Sequence, residues 1–268
     1  MSDEINSIDG IVAELALDKA DYSKAALEPS PNFGPRRDGK TPIFLILHYT
    51  GVATAQEALD ILKSPEREVS AHYLVHENGD VVQMVSEKAR AWHAGQSFWK
   101  GERDLNSASI GIEIVNPGEL DDYPPFKEPQ LESVIELCRN ICQRHSIPPE
   151  NVLAHSDIAP TRKTDPGHNF PWKKLYEAGI GHYVEPTPIR SGRFFARGEQ
   201  GQPIEALQSM LALYGYEIEI NGVFDEATET VVKAFQRHFR PQKLDGVADV
   251  STIDTLYRLL SSLQNVTS

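Results

Sequence analysis

The amino-acid sequence predicts an α/β domain, a mixed central sheet flanked by helices, followed by a small three-helix domain. Three observations carry this expectation. Short apolar or alternating runs at 43–47, 109–115 and 152–154 are interspersed with segments of helical period. Residues 181–196, with Pro186, Pro188 and Gly192, hold no sustained period and read as a linker. From Arg197 the chain changes to short helical segments separated by turns at Asn221-Gly222 and Asp245-Gly246.

Taken in order, residues 1–28 read as an N-terminal extension. Its apolar positions Ile5, Ile8, Ile11, Val12 and Leu15 have helical spacing, and a docked helix and a frayed extension fit equally. The α/β domain candidate spans 29–180. It starts with the Pro/Gly-rich PSPNFGPRRDGKTP, an irregular approach whose Asn32, Phe33 and Arg37 either line a site or belong to a plain surface loop. IFLIL at 43–47 reads as a strand buried on both faces that ends in His48. Thr54 is placed to cap a helix carrying Ala58, Leu59, Ile61 and Leu62, which stops before Pro65. HYLVHENGDVVQMV reads as a hairpin turned at Asn78-Gly79, and Trp92, His93, Ala94 and Gly95 follow in a loop. SIGIEIV at 109–115 puts Ile110, Ile112 and Ile114 on one face and Glu113 with Gly111 on the other. Residues 128–146 carry a broad apolar stripe from Leu131 to Cys142, with Pro129 in the first turn and Pro148 past the end. A short strand then delivers His155, and Pro171 opens a last helix closed by Gly179.

Composition narrows the function classes. Of the 268 residues, 40% are hydrophobic and 24% charged, ordinary for a globular protein with a real core. A net charge of −13 argues against non-specific nucleic-acid binding, which needs clustered cations. No run approaches the ~18 apolar residues of a membrane span, and the acidic MSDEINSIDG lacks the pattern of a secretory signal. Cys138 and Cys142 share a helix face and read as core thiols rather than a disulfide or metal site.

The chemistry concentrates at three places. A lone histidine at a strand tip is ordinarily a hydrogen-bonded core residue. Here His155 also follows an apolar run, and Asp165 comes ten residues later in a Lys-Thr-Asp-Pro-Gly turn. Two imidazoles and a carboxylate, with a fourth position left for water, are the ligand set of a catalytic zinc site. Glu113 fits a general base as well as it fits an exposed strand carboxylate. Lys163, two residues before Asp165, fits an oxyanion-stabilising cation as well as a solvated loop cation, and extended backbone would point both side chains the same way.

HYT, SAHYLVHENGDVVQMV, RAWHAG, SIGIEIVN and AHSDIAPTRKTDPG, in that order, resemble the zinc-dependent N-acetylmuramoyl-L-alanine amidases of type 2, whose fold is shared with peptidoglycan-recognition proteins. The resemblance covers roughly residues 29–180. It implies that His48, His155 and Asp165 are zinc ligands and that Glu113 and Lys163 are the catalytic glutamate and lysine. Tyr49, Trp92, His93, Asn32 and Arg37 are candidates for substrate contact. Some relatives carry a catalytic tyrosine where this chain has Ala71, which makes His72 structural and leaves the burden on Glu113. The alternative is a binding protein of the same fold that recognises muropeptides without cutting them; the presence of all three ligands and Glu113 favours the enzyme.

Residues 197–268 resemble the three-helix peptidoglycan-binding module of wall hydrolases, with Leu207, Leu211, Val231, Ala234, Phe235, Leu256 and Leu259 as its core. They hold no candidate ligand or base. The expectation is therefore a tether to the polymer, such that a chain ending near Ile180 folds and works on small substrates. The expected partner is peptidoglycan or its muropeptides. The envelope is the favoured compartment because of that module, with the cytoplasm as alternative for want of a signal. The oligomeric state is not legible.

Overall fold

The computed structural model describes residues 14–264. Apart from Leu15, the expected N-terminal helical positions lie outside the described residues. Six strands form one mixed sheet: β1 (Ala26–Leu27), β3 (Phe44–Tyr49), β4 (Tyr73–Val75), β5 (Val81–Gln83), β7 (Ser109–Ile114) and β8 (Val152–Ala154), in the order β1-β5-β4-β7-β3-β8. β3 runs parallel to both β7 and β8, β4 parallel to β7, and β4 pairs with β5 as the antiparallel hairpin expected at Asn78-Gly79. β2 (Phe33–Pro35) and β6 (Ala89–Ala91) make a separate antiparallel pair.

The helices are α1 (Ala55–Lys63), α2 (Leu105–Ala108), α3 (Glu128–His145), α4 (His155–Ile158), α5 (Trp172–Glu177), α6 (Gln202–Tyr214), α7 (Glu226–Phe239) and α8 (Val250–Gln264). Thr54 caps α1 by accepting the Glu57 amide at 3.1 Å, as its position suggested. Helix α3 lays Leu131, Val134, Leu137, Cys138 and Ile141 against Leu45 and Leu47 of β3 and the three isoleucines of β7. Cys138 is a buried core thiol and Cys142 packs against the same cluster, so both are free cysteines in apolar surroundings.

Two expected boundaries move. The domain does not begin at 29: Tyr22 is buried, β1 pairs with β5, and Asp21 accepts hydrogen bonds from the Gln83 amide and the Glu87 backbone N–H. The segment after Pro29 is not wholly irregular either, since it contributes β2. Residues 181–196 are not a free linker over their whole length. Tyr183 is buried, His182 bridges Tyr214 Oη and Ser262 Oγ at 2.8 Å each, and Thr187 meets Asp254 and Thr255.

The larger departure concerns the helical module, which is no detached tether. Phe44 and Ile46 of β3, with Leu153, Trp99, Leu105 and Ile158, form one apolar cluster with Ile204, Leu207, Tyr214, Tyr216, Phe235 and Leu256 of the module. Trp99 lies fully buried against Tyr216, with ring centroids 4.8 Å apart, and over Gly215, where a Cβ would stand 2.5 Å from the indole. Periodicity reports that a face is apolar, not which segment covers it.

Within the module the two turns are built alike. Gln208 on α6 holds the first, donating to Asn221 Oδ1, Val223 O and Thr228 Oγ1 at 3.0 Å each and accepting from the Asn221 and Gly222 amides. Gln236 on α7 makes the corresponding bonds to Asp245, Val247 and Thr252 and accepts from Gly246. Asn-Gly-Val-Phe-Asp-Glu-Ala-Thr at 221–228 and Asp-Gly-Val-Ala-Asp-Val-Ser-Thr at 245–252 are thus an internal repeat. A buried glutamine satisfies each turn's backbone groups, which would otherwise be costly to bury.

A shared core predicts shared unfolding. Calorimetry of the full chain should show one cooperative transition. A chain ending at Ile180 should melt more than about 10 °C lower or fail to fold, because several side chains worth ~1.5–3 kcal/mol each lose their cover. Two independent transitions, the first matching the isolated 14–180 segment, would contradict the shared core.

Candidate active site

The register of three parallel strands assembles the site. His48 pairs with Glu113 across β3 and β7, and Leu47 pairs with Ala154 across β3 and β8, so His155 follows in the same row. Cross-strand partners project to one face. Glu113, His48 and His155 therefore stand side by side at the carboxyl ends of neighbouring parallel strands, where open α/β sheets place their ligand crevices. The loop after α4 returns to bring in Asp165, tied by the Ser156 amide donating to the Asp165 carbonyl at 3.0 Å.

His48 Nδ1, His155 Nδ1 and Asp165 Oδ2 form a near-equilateral triangle with edges of 2.9, 2.9 and 3.0 Å, all three residues buried. The hydrogen bonds on the far side of each ring settle the tautomers. His155 Nε2–H donates to the Ala94 carbonyl at 3.1 Å. His48 Nε2–H donates to His93 Nδ1 at 3.0 Å, His93 Nε2–H to Ser109 Oγ at 3.2 Å, and the Ser109 hydroxyl to the Leu105 carbonyl. In the neutral rings with those tautomers, both Nδ1 atoms are bare lone pairs. Burial, with His155 alongside, lowers the His48 imidazole to about 4, so it is neutral at physiological pH. In that state three acceptors converge, an arrangement that a divalent cation satisfies.

Glu113 Oε2 is buried and has no hydrogen-bond partner among the described residues. Burial, reinforced by the Asp165 charge and opposed by Lys163, pushes the Glu113 carboxyl well above its usual range. Lys163 reaches the site from a turn rather than from extended chain, its amide bonded to the Ala159 carbonyl at 3.1 Å. Both residues line a cavity of about 460 Å³ that also exposes His48, His155, Asp165, Tyr49, Trp92 and His93. Ala58, Ile61 and Leu62 of α1 also line it.

The remaining candidates separate by position. Tyr49 lines the cavity with its hydroxyl 3.0 Å from Thr164 Oγ1. Trp92 stands between this cavity and an adjoining depression that holds Arg37. Asn32 does not face the cavity: it is buried, and its amide donates to the Ser64 and Val69 carbonyls, tying down the segment after α1. His72 is bonded to backbone on both sides of its ring, its Nδ1 accepting the Gly111 amide at 3.0 Å while Nε2–H donates to the Ala89 carbonyl.

Sequence reasoning missed the support of this row. Asn106 Oδ1 accepts the amides of His93 and Ala94, and the Arg162 guanidinium donates to the Ala94 and Gln96 carbonyls, fixing the loop that orients His155. Gly111 is the one signal available in advance. A Cβ there would stand 2.5 Å from the His93 ring, so the glycine in SIGIE vacates the space from which His93 props His48.

The profile of the family described as N-acetylmuramoyl-L-alanine amidase matches residues 38–168, and that of a peptidoglycan binding domain matches residues 200–256. The chain is 39% identical over 222 residues to N-acetylmuramoyl-L-alanine amidase AmiD of Escherichia coli, covering 78% of each. It is 32% identical over 164 residues to 1,6-anhydro-N-acetylmuramyl-L-alanine amidase AmpD of E. coli, a match that takes in 55% of this chain and 87% of that protein. Among solved structures, E. coli AmiD with anhydro-N-acetylmuramic acid-L-Ala-D-gamma-Glu-L-Lys superposes with a TM-score of 0.70 at 36% identity, covering 84% of this chain and 91% of that one. Pseudomonas aeruginosa AmpDh3 with anhydromuramic pentapeptide gives 0.68 at 32%, covering 92% and 99%.

The Gly111 contact yields a test of the support. Gly111→Ala should destabilise the protein by about 1–3 kcal/mol, the usual cost of overpacking, whereas Gly34→Ala, with open space around its Cβ position, should be near neutral. Denaturant midpoints compare the two; equal midpoints would show that the His93 ring yields freely.

Proposed function

The chain belongs to the N-acetylmuramoyl-L-alanine amidase family, and on that premise we propose that it hydrolyses the amide between N-acetylmuramic acid and L-alanine in muropeptides, using zinc held by His48, His155 and Asp165. The observation that carries this reading is the convergence of two bare Nδ1 lone pairs and a carboxylate oxygen, each oriented from behind. The donor set, two imidazole nitrogens and one carboxylate oxygen with a cavity in front, fits zinc. When bound, zinc supplies Lewis acidity, polarising the scissile carbonyl and making water easier to deprotonate.

The chain's own residues do the rest. Glu113, one strand spacing from His48, takes the proton of the attacking water and passes it to the leaving nitrogen. A carboxyl pushed upward by burial suits both steps: ionised it is a stronger base than an exposed glutamate, and protonated it keeps its proton until the amine departs. Lys163 places a positive charge at the cavity wall, where negative charge develops on the carbonyl oxygen. Tyr49 and Trp92 flank the cavity and orient the muropeptide. The match of residues 200–256 to a peptidoglycan-binding family supports action on wall material in the cell envelope. The anhydromuropeptides bound to AmiD and AmpDh3 support that class as the first to assay. No helix among the described residues is long and apolar enough to cross a membrane.

Two substitutions separate ligand from base. Asp165→Ala should lose zinc and activity together, and added zinc should restore a chelated wild-type protein but not this variant. Full activity in metal-free wild-type protein would sink the mechanism. Glu113→Gln should keep its zinc while turnover falls about 10²–10⁴-fold, since only proton transfer is removed. Near-normal turnover in that variant would move the proton to another group.

A further inference from the structure

The back of the His155 turn is gripped by the helical module. Asp157, the third residue of α4, is 1% exposed, and its carboxylate has three donors. One is local, the Ala154 amide at 2.8 Å on Oδ2. The other two come from the module: His238 Nδ1–H of α7 at 2.6 Å on Oδ2, and the Tyr216 hydroxyl at 2.7 Å on Oδ1. His238 is itself 3% exposed, its ring stacked between Trp172 at 3.7 Å and Phe239 at 3.8 Å. The grip lies beside the ligand: Ala154 precedes His155, and the Ser156 amide binds the Asp165 carbonyl.

We propose that His238 and Tyr216 are positioning residues for the metal centre, holding the turn that presents His155 and Asp165 through the buried Asp157 carboxylate. The physical reason is the cost of a buried carboxylate short of donors. With both module donors present, Asp157 is satisfied only where it stands, and α4 with it. Without them the carboxylate must rotate toward water, pulling on Ala154 and His155. The module therefore belongs to the catalytic unit as well as to any polymer contact. This inference rests on the zinc reading of the site only for its functional consequence; the clamp itself is independent of the ion.

Three variants of the full chain test it. His238→Phe keeps an aromatic ring in the slot and loses the donor. His238→Asn keeps a donor at the Nδ1 position and loses the ring, and Tyr216→Phe removes only the hydroxyl. Zinc affinity is read by chelator competition, hydrogen exchange at the amides of 154–157 in metal-free protein, and kcat and KM on a soluble anhydromuropeptide. His238→Phe and Tyr216→Phe should each weaken zinc binding about 10-fold, in the range seen for outer-shell partners. They should also speed exchange at those amides and lower kcat with little change in KM, while His238→Asn stays close to wild type. Wild-type zinc affinity in His238→Phe together with a loss in His238→Asn would assign the residue to packing and overturn the proposal. If His238→Phe fails to fold, Tyr216→Phe decides alone, and unchanged zinc affinity there overturns it. If wild-type protein binds no zinc, the functional reading fails, and unaccelerated exchange in the variants would then overturn the clamp separately.

Discussion

Burial of β3 on both faces is the constraint on which the rest of the structure depends. Leu45 and Leu47 face α3 and the isoleucines of β7, while Phe44 and Ile46 face the opposite way. Neither face is tolerable in water at ~1.5–3 kcal/mol per large apolar side chain, so the strand needs a layer on each side. The first layer comes from the amidase fold itself. The second is shared by Trp99, Leu105, Ile158 and the helical module, which converts two sequence segments into one cooperative body.

The same face carries the chemistry. His48 is the next residue after Ile46 on that side, so the apolar cover must stop one residue short of it. Helix α1 covers the face over β4 and β5 with Ala58, Leu59 and Leu62 against Leu74 and Val82. The module covers it over β3 and β8, and the cavity opens between these two covers. Dry surroundings then tune the polar groups left inside: His48 is kept neutral and Glu113 inclined to hold a proton. Both states follow from one environment, because burial disfavours the charged form of an imidazole and of a carboxyl alike.

Much of this was legible in the chain. The apolar run ending in His48, the alternation isolating Glu113 from three isoleucines, and the apolar run into His155 are local patterns whose period alone sets which side chains point together. The cap at Thr54, the Asn78-Gly79 hairpin and the α3 stripe likewise depend on neighbours in sequence, and each stands where its pattern placed it. The strand contributed by Ala26 and Leu27 was not legible, because two residues at a sheet edge carry no period. The burial of Asn32 was not legible either, since a polar residue in a Pro/Gly-rich stretch is usually solvated and its carbonyl partners, Ser64 and Val69, are more than thirty residues away.

What the sequence by itself determined, then, is the order of the elements and the identity of the residues able to bind metal or move a proton. Only the tertiary structure decided the register that sets His48, Glu113 and His155 in one row, the His93–Ser109 prop behind His48, and the seating of His238 and Tyr216 on Asp157. The physical reason is range. Periodicity and capping act within a few residues, whereas His238 meets Asp157 across eighty-one positions, and only a folded core that excludes water brings such groups to hydrogen-bonding distance.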